Sequence, residues 1–141
     1  MKTIFSDIKI LSNGQVAMIE LRLTRMRGIG VRVYDVVACI ANNPVAAKKF
    51  CRGKADHLDG VATGRAGLEG LLFFKSIVEG YAALVGTVHM PKGRCETYLV
   101  VQGADEQRER VYSRLTKVGF KVGDWCDQKA YIKSWKTETT D

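Results

Sequence analysis

The hydrophobic pattern of this chain changes period several times, and each change predicts an element. Gln15 to Leu23, QVAMIELRL, reads as a strand with Val16, Met18 and Glu20 on one face, although its Ala, Met, Glu and Leu are also good helix formers. Ser12-Asn13-Gly14 before it is turn-like, and Gly28 and Gly30 fit a second turn. From Val31 to Ile40 the β-branched enrichment predicts another strand. Asn43-Pro44 then punctuates the chain. Asn43 can cap orphan N–H groups while Pro44 takes the first helical position, so a short helix through Val45 to Cys51 is expected.

The middle of the chain is glycine-rich and then apolar. VATGRAGLEGLLFFKSIVEGYAALVG predicts a helix from about Gly67 to Leu84, with Leu68, Leu71, Leu72, Lys75, Val78 and Tyr81 at three- and four-residue intervals. Phe73, Phe74 and Ile77 broaden the apolar surface nearly all round, which calls for burial. After a turn at Pro91-Lys92-Gly93, CETYLVV (Cys95 to Val101) reads as a buried strand. Asp105 is the preferred N-cap of a last helix, with Glu106 and Glu109 near its positive end and Arg110, Arg114 and Lys117 towards its negative end. Val111, Leu115 and Val118 make its expected buried stripe. Gly119-Phe120 stops it, KVGD begins a strand-like turn region, and KAYIKSW (Lys129 to Trp135) closes the pattern as an alternating strand.

Composition narrows the class. A chain of 141 residues, 46% of them apolar, has the length for one core, so residues 1–135 are expected to form a single domain with 136–141 as a flexible tail. The net charge of +7 favours anionic partners. Between Arg22 and Arg65 stand nine basic residues (Arg22, Arg25, Arg27, Arg32, Lys48, Lys49, Arg52, Lys54, Arg65) against three acidic ones (Asp35, Asp56, Asp59). That excess is open to two readings, a solvated face or a surface for nucleic acid, an acidic protein or a phosphate-rich cofactor. Cys39, Cys51, Cys95 and Cys126 are widely spaced, and with His57 and His89 they form no local metal-ligand cluster. Asp7 and the Ser12–Gly14 turn interrupt any signal-like apolar run, and no stretch reaches membrane-span length. A reducing, cytoplasmic location is expected, with no membrane partner.

The order of glycine-rich turn, long helix, strand, shorter helix, Gly-Phe and closing hairpin, from about Val61 to Trp135, resembles the C-terminal half of the GCN5-related N-acetyltransferase superfamily. The resemblance implies an α/β fold: a compact, mixed, mostly antiparallel and bent sheet flanked by helices. It also implies acetyl-CoA or another acyl-CoA as cofactor, held where two central strands splay, and transfer of the acyl group to an amine of a small molecule or protein. A homodimer is one arrangement open to such a domain. In the family, helix-end N–H groups after the glycine-rich turn receive the CoA pyrophosphate. Carried over, that makes Thr63, Gly64, Arg65, Ala66 and Gly67 the candidate phosphate loop, with Val100 and Arg108 completing the cofactor-binding set. An ordinary N-terminal turn for a buried helix is the competing reading.

The family pattern also implies catalytic groups. With Gly67 on the central family glycine, Gly64 stands where Arg or Gln is customary and Glu69 where Gly or Ala is customary. The tyrosine that protonates the departing CoA thiolate falls on Leu115 here, so Tyr112, about 300° round an α-helix, is the candidate acid. A tyrosine that packs its ring and exposes its hydroxyl is the structural alternative. His57, within KADHLDGVATG, is the candidate base beside Asp56 and Asp59, with an ordinary surface histidine as the competing reading. A noncatalytic module on the same scaffold, contacting nucleic acid or an acidic protein, is the rival function.

Overall fold

A computed structural model describes residues 2–26, 31–51, 64–88, 96–102, 112–125 and 127–136. The chain opens with a hairpin of β1 (Lys2–Ile10) and β2 (Val16–Met26). At its turn Leu11 N–H donates to the Gln15 carbonyl at 2.8 Å and Gly14 N–H to the Leu11 carbonyl at 3.0 Å. Gly14 has φ +87° with open space around it, so the requirement there is conformational rather than steric. β1 was not evident from the pattern of the sequence, because its apolar residues are largely exposed and no buried face shows in the alternation.

β3 (Val31–Ala41) pairs with β2 antiparallel through eleven registered positions without a shift. The helix α1 (Pro44–Cys51) follows as expected: Ala46 N–H donates to Asn43 Oδ1 at 2.8 Å, and Pro44 fills the position whose N–H has no partner. The long helix α2 (Gly64–Val88) leads to β4 (Glu96–Val101), which pairs parallel to β3. A 3-10 helix, Ser113–Val118, ends at Gly119 in the left-handed conformation, φ 95°, where Phe120 N–H donates to the Leu115 carbonyl. β5 (Lys121–Trp125) and β6 (Gln128–Lys136) close the fold as an antiparallel hairpin. The six-stranded sheet runs β1-β2-β3-β4-β6-β5, mixed but antiparallel in every pair except β3/β4.

Both faces of β2 are buried, each under a different helix. Ala17, Ile19, Leu21 and Leu23 join Leu71, Phe74, Val78, Tyr81, Ala82 and Val85 of α2. Val16 and Met18, on the other face, pack with Cys39, Ala41, Ala47 and Cys51. Each large side chain so buried contributes about 1.5–3 kcal/mol. The buried stripe of α2 corrects the expected all-round burial: Leu68 and Leu72 are 55% and 45% exposed, because α2 lays only one side on the sheet. Gly70 sits in that contact, where a Cβ would lie 2.6 Å from Ile40 Cδ1.

The 3-10 helix brings a second correction. Leu115 is buried as expected, but Val118 is 41% exposed; Val111 lies outside the described residues. Three residues per turn also move Tyr112 into line with Leu115, one turn back, rather than about 300° round. Tyr112 is accordingly buried in the core under α2, and its hydroxyl is not exposed as the structural alternative expected.

Candidate functional site

The crossover from β3 to β4 fixes the direction of α2. Near its start Gly70 lies against Ile40, at the carboxyl end of β3. Near its end Gly86 lies against Trp135, which pairs with Thr97 at the beginning of β4. The positive N-terminus of α2 therefore lies at the carboxyl end of β3, beside the start of β2, where Ala17 also faces Gly70. Pairing between β3 and β4 ends at Val36 and Val101. β3 continues through Val37–Ala41 with β2 as its only strand partner among the described residues.

One register row before that end, Asp35 faces away from α2. It is partnered by Arg22 on β2 and Val100 on β4. Burial pushes the Asp35 carboxyl above its usual range, and the Arg22 guanidinium partly reverses the shift. Arg22 in turn reaches Glu20 Oε2 at 3.4 Å, and Ser6 Oγ donates to Glu20 Oε1 at 3.5 Å. Glu20 is buried, so this face holds two carboxylates around one guanidinium. The apolar floor beside them is Val33, Val100 and Ala130, flanked by Tyr98 and Trp125 with ring centroids 6.0 Å apart. A carboxyl whose proton is held more tightly than usual is a better general base at neutral pH than an ordinary aspartate.

The other groups offer less chemistry. Cys39 and Cys51 bring their sulfurs to 3.7 Å, and the hydrogen bond with Cys39, with burial, keeps the Cys51 thiol protonated. Tyr98 donates to Glu96 at 2.6 Å, which raises its phenol. Among the described residues no group of three or more His, Cys, Asp or Glu could hold a metal ion, and no helix is long and apolar enough to cross a membrane.

The predicted site residues divide by position. Gly64, Arg65, Ala66 and Gly67 form the first turn of α2, and Gly67 is buried. Val100 is buried on the Asp35 face. Tyr112 is buried on the opposite, α2 face, so the structure does not bring it together with Asp35 or Val100. His57, Thr63 and Arg108 lie outside the described residues. Of the nine basic residues counted above, Arg22 is spent on Glu20, while Lys48 and Lys49 are exposed on α1. The sequence reading missed Asp35 and Glu20. Asp35 stood in view within VRVYDVV, but its neighbour Arg22 is set by strand register, which the local pattern does not display.

No protein-family profile, curated protein or solved structure matches the chain.

Proposed function

We propose that this chain is an acyl-CoA-dependent N-acyltransferase of the kind its element order resembles. The observation that carries the reading is the glycine-led start of α2 lying at the carboxyl end of β3, along the stretch where β3 outruns its parallel partner β4. Backbone N–H groups of Gly64–Gly67 suit a pyrophosphate, since helix-end donors and the dipole both favour an anion. From the start of α2 an acyl-pantetheine arm must pass beyond Val36 and Val101, where β3–β4 pairing ends, to the opposite face of the sheet to meet Asp35. Asp35 then takes a proton from the acceptor ammonium. The freed amine attacks the thioester carbonyl carbon, the C–S bond breaks, and the proton that the attacking nitrogen gives up is passed through water to the departing thiolate.

The test is CoA thiol release from acetyl-CoA and longer acyl-CoAs, measured against a panel of polyamines, arylalkylamines and lysine peptides. Amine-dependent release is expected, and Asp35→Asn should lower it about 10²–10⁴-fold. No release above hydrolysis with any pair would overturn the proposal. A second reading, noncatalytic binding of nucleic acid or an acidic protein on this scaffold, is favoured by the burial of Tyr112, which keeps its phenol from solvent. Binding of that kind to nucleic acid falls steeply with added salt.

A further inference from the structure

The sheet ends in two unequal edges. β5 is five residues long and carries Lys121 and Asp124, whereas β1 has nine residues and, among the described residues, a strand partner on one side only. Phe5, Ile8 and Ile10 of β1 are 44%, 48% and 75% exposed. A long edge with apolar side chains is a template for strand addition unless something blunts it. The register shift between Thr3 and Phe5 blunts the first part of β1, and the remainder, Phe5 to Ile10, keeps an unbroken register with β2.

We infer that β1 pairs with β1 of a second copy of this chain, antiparallel across a two-fold axis at Ile8, to make a continuous twelve-stranded sheet from two six-stranded ones. The charges select this register. A two-fold continuous sheet keeps the side-chain faces in phase, so the axis must fall on a residue. At Asp7 or at Lys9 it would set that charge directly opposite its own copy, which is destabilising. At Ser6 the pairing would run into the Thr3/Phe5 irregularity, and at Ile10 it would run past the strand end. At Ile8 the two isoleucines face each other on one side of the sheet. On the other side Asp7 meets the second copy's Lys9 twice. Asp7 is already oriented there, because the Tyr81 hydroxyl donates to its Oδ2 at 2.7 Å. Lys9 is exposed and free to extend across the seam.

Sedimentation velocity over a concentration series tests the assembly, and a charge exchange tests its register. The wild-type chain is expected to dimerise. Lys9→Asp brings carboxylates together on both sides of the axis, and Asp7→Lys brings ammonium groups together, so each variant alone should dissociate at least tenfold more readily. Mixed one to one they restore opposite charges at both positions, and a heterodimer is expected. Lys48→Asp on α1 makes the same change in net charge as Lys9→Asp and should leave the dimer intact. If loss of the Tyr81 hydrogen bond unfolds Asp7→Lys, Ile8→Lys replaces it as the second variant: it alters an exposed side chain, sets two ammonium groups on the axis and should give a folded monomer. A wild-type chain that stays monomeric overturns the inference. So does a dimer that persists in Lys9→Asp and Ile8→Lys. Neither result depends on acyl transfer.

Discussion

Asp35 concentrates the chemistry of the Arg22 face in one carboxyl. Burial raises its affinity for a proton and Arg22 lowers it in part, so the native state binds that proton more tightly than the unfolded chain does. Between the ordinary carboxyl value of 3.8 and the higher native one, the native state holds more protons, and stability attributable to Asp35 falls as pH rises. Asp35→Asn removes that titration. The variant's stability relative to wild type should therefore rise from near zero below the unfolded value to a constant gain above the native one. Urea unfolding across a pH series checks this, and a difference that does not change with pH contradicts it. Sequence alone offered Asp35 only as one of three acidic residues in a basic stretch; its pairing with Arg22 and its place beside Val100 come from contacts distant along the chain.

At the scale of elements, local chemistry was legible where the residue itself forces the backbone. Asn43-Pro44 started α1, the Ser12–Gly14 turn joined two strands, and Gly119 ended a helix with φ 95°. Periodicity misled where the helix type changed. The 3-10 geometry of Ser113–Val118 aligns Tyr112 with Leu115 and leaves Val118 exposed. Leu115→Ala should accordingly cost about 2–5 kcal/mol, while Val118→Ala should stay within about 1 kcal/mol. Thermal and denaturant melts distinguish them, and equal costs would contradict the assigned faces.

The contact between α2 and β3 gives a coupled test. At Gly70 alanine gains about 1 kcal/mol in helix propensity, yet its Cβ meets Ile40 Cδ1 at 2.6 Å. Overpacking of that kind costs about 1–3 kcal/mol. Gly70→Ala is therefore expected to be less favourable in the wild type than in an Ile40→Val background, where the Cδ1 methyl is absent, with a coupling of about 1 kcal/mol in a double-mutant cycle. Additivity would show that the helix rests elsewhere. Gly70 did not stand out in the sequence, because the neighbour that constrains it lies on another element.

For the whole molecule, the α/β class, a mixed, mostly antiparallel sheet flanked by helices and the closing hairpin could be read from the order of elements, but the strand order and register could not. Val31 beside Glu96 is a pairing across α1 and α2, and no local period encodes it. That parallel pair gives the glycine-led end of α2 its position, and the proposed chemistry rests on the position rather than on a motif. Isotope-labelled chain titrated with acetyl-CoA and longer acyl-CoAs, observed through its backbone amide resonances, tests the claim most directly. The account predicts saturable shifts at Gly64–Gly67 and along Val37–Ala41; no saturable shift with any acyl-CoA, or shifts confined to other elements, would contradict it.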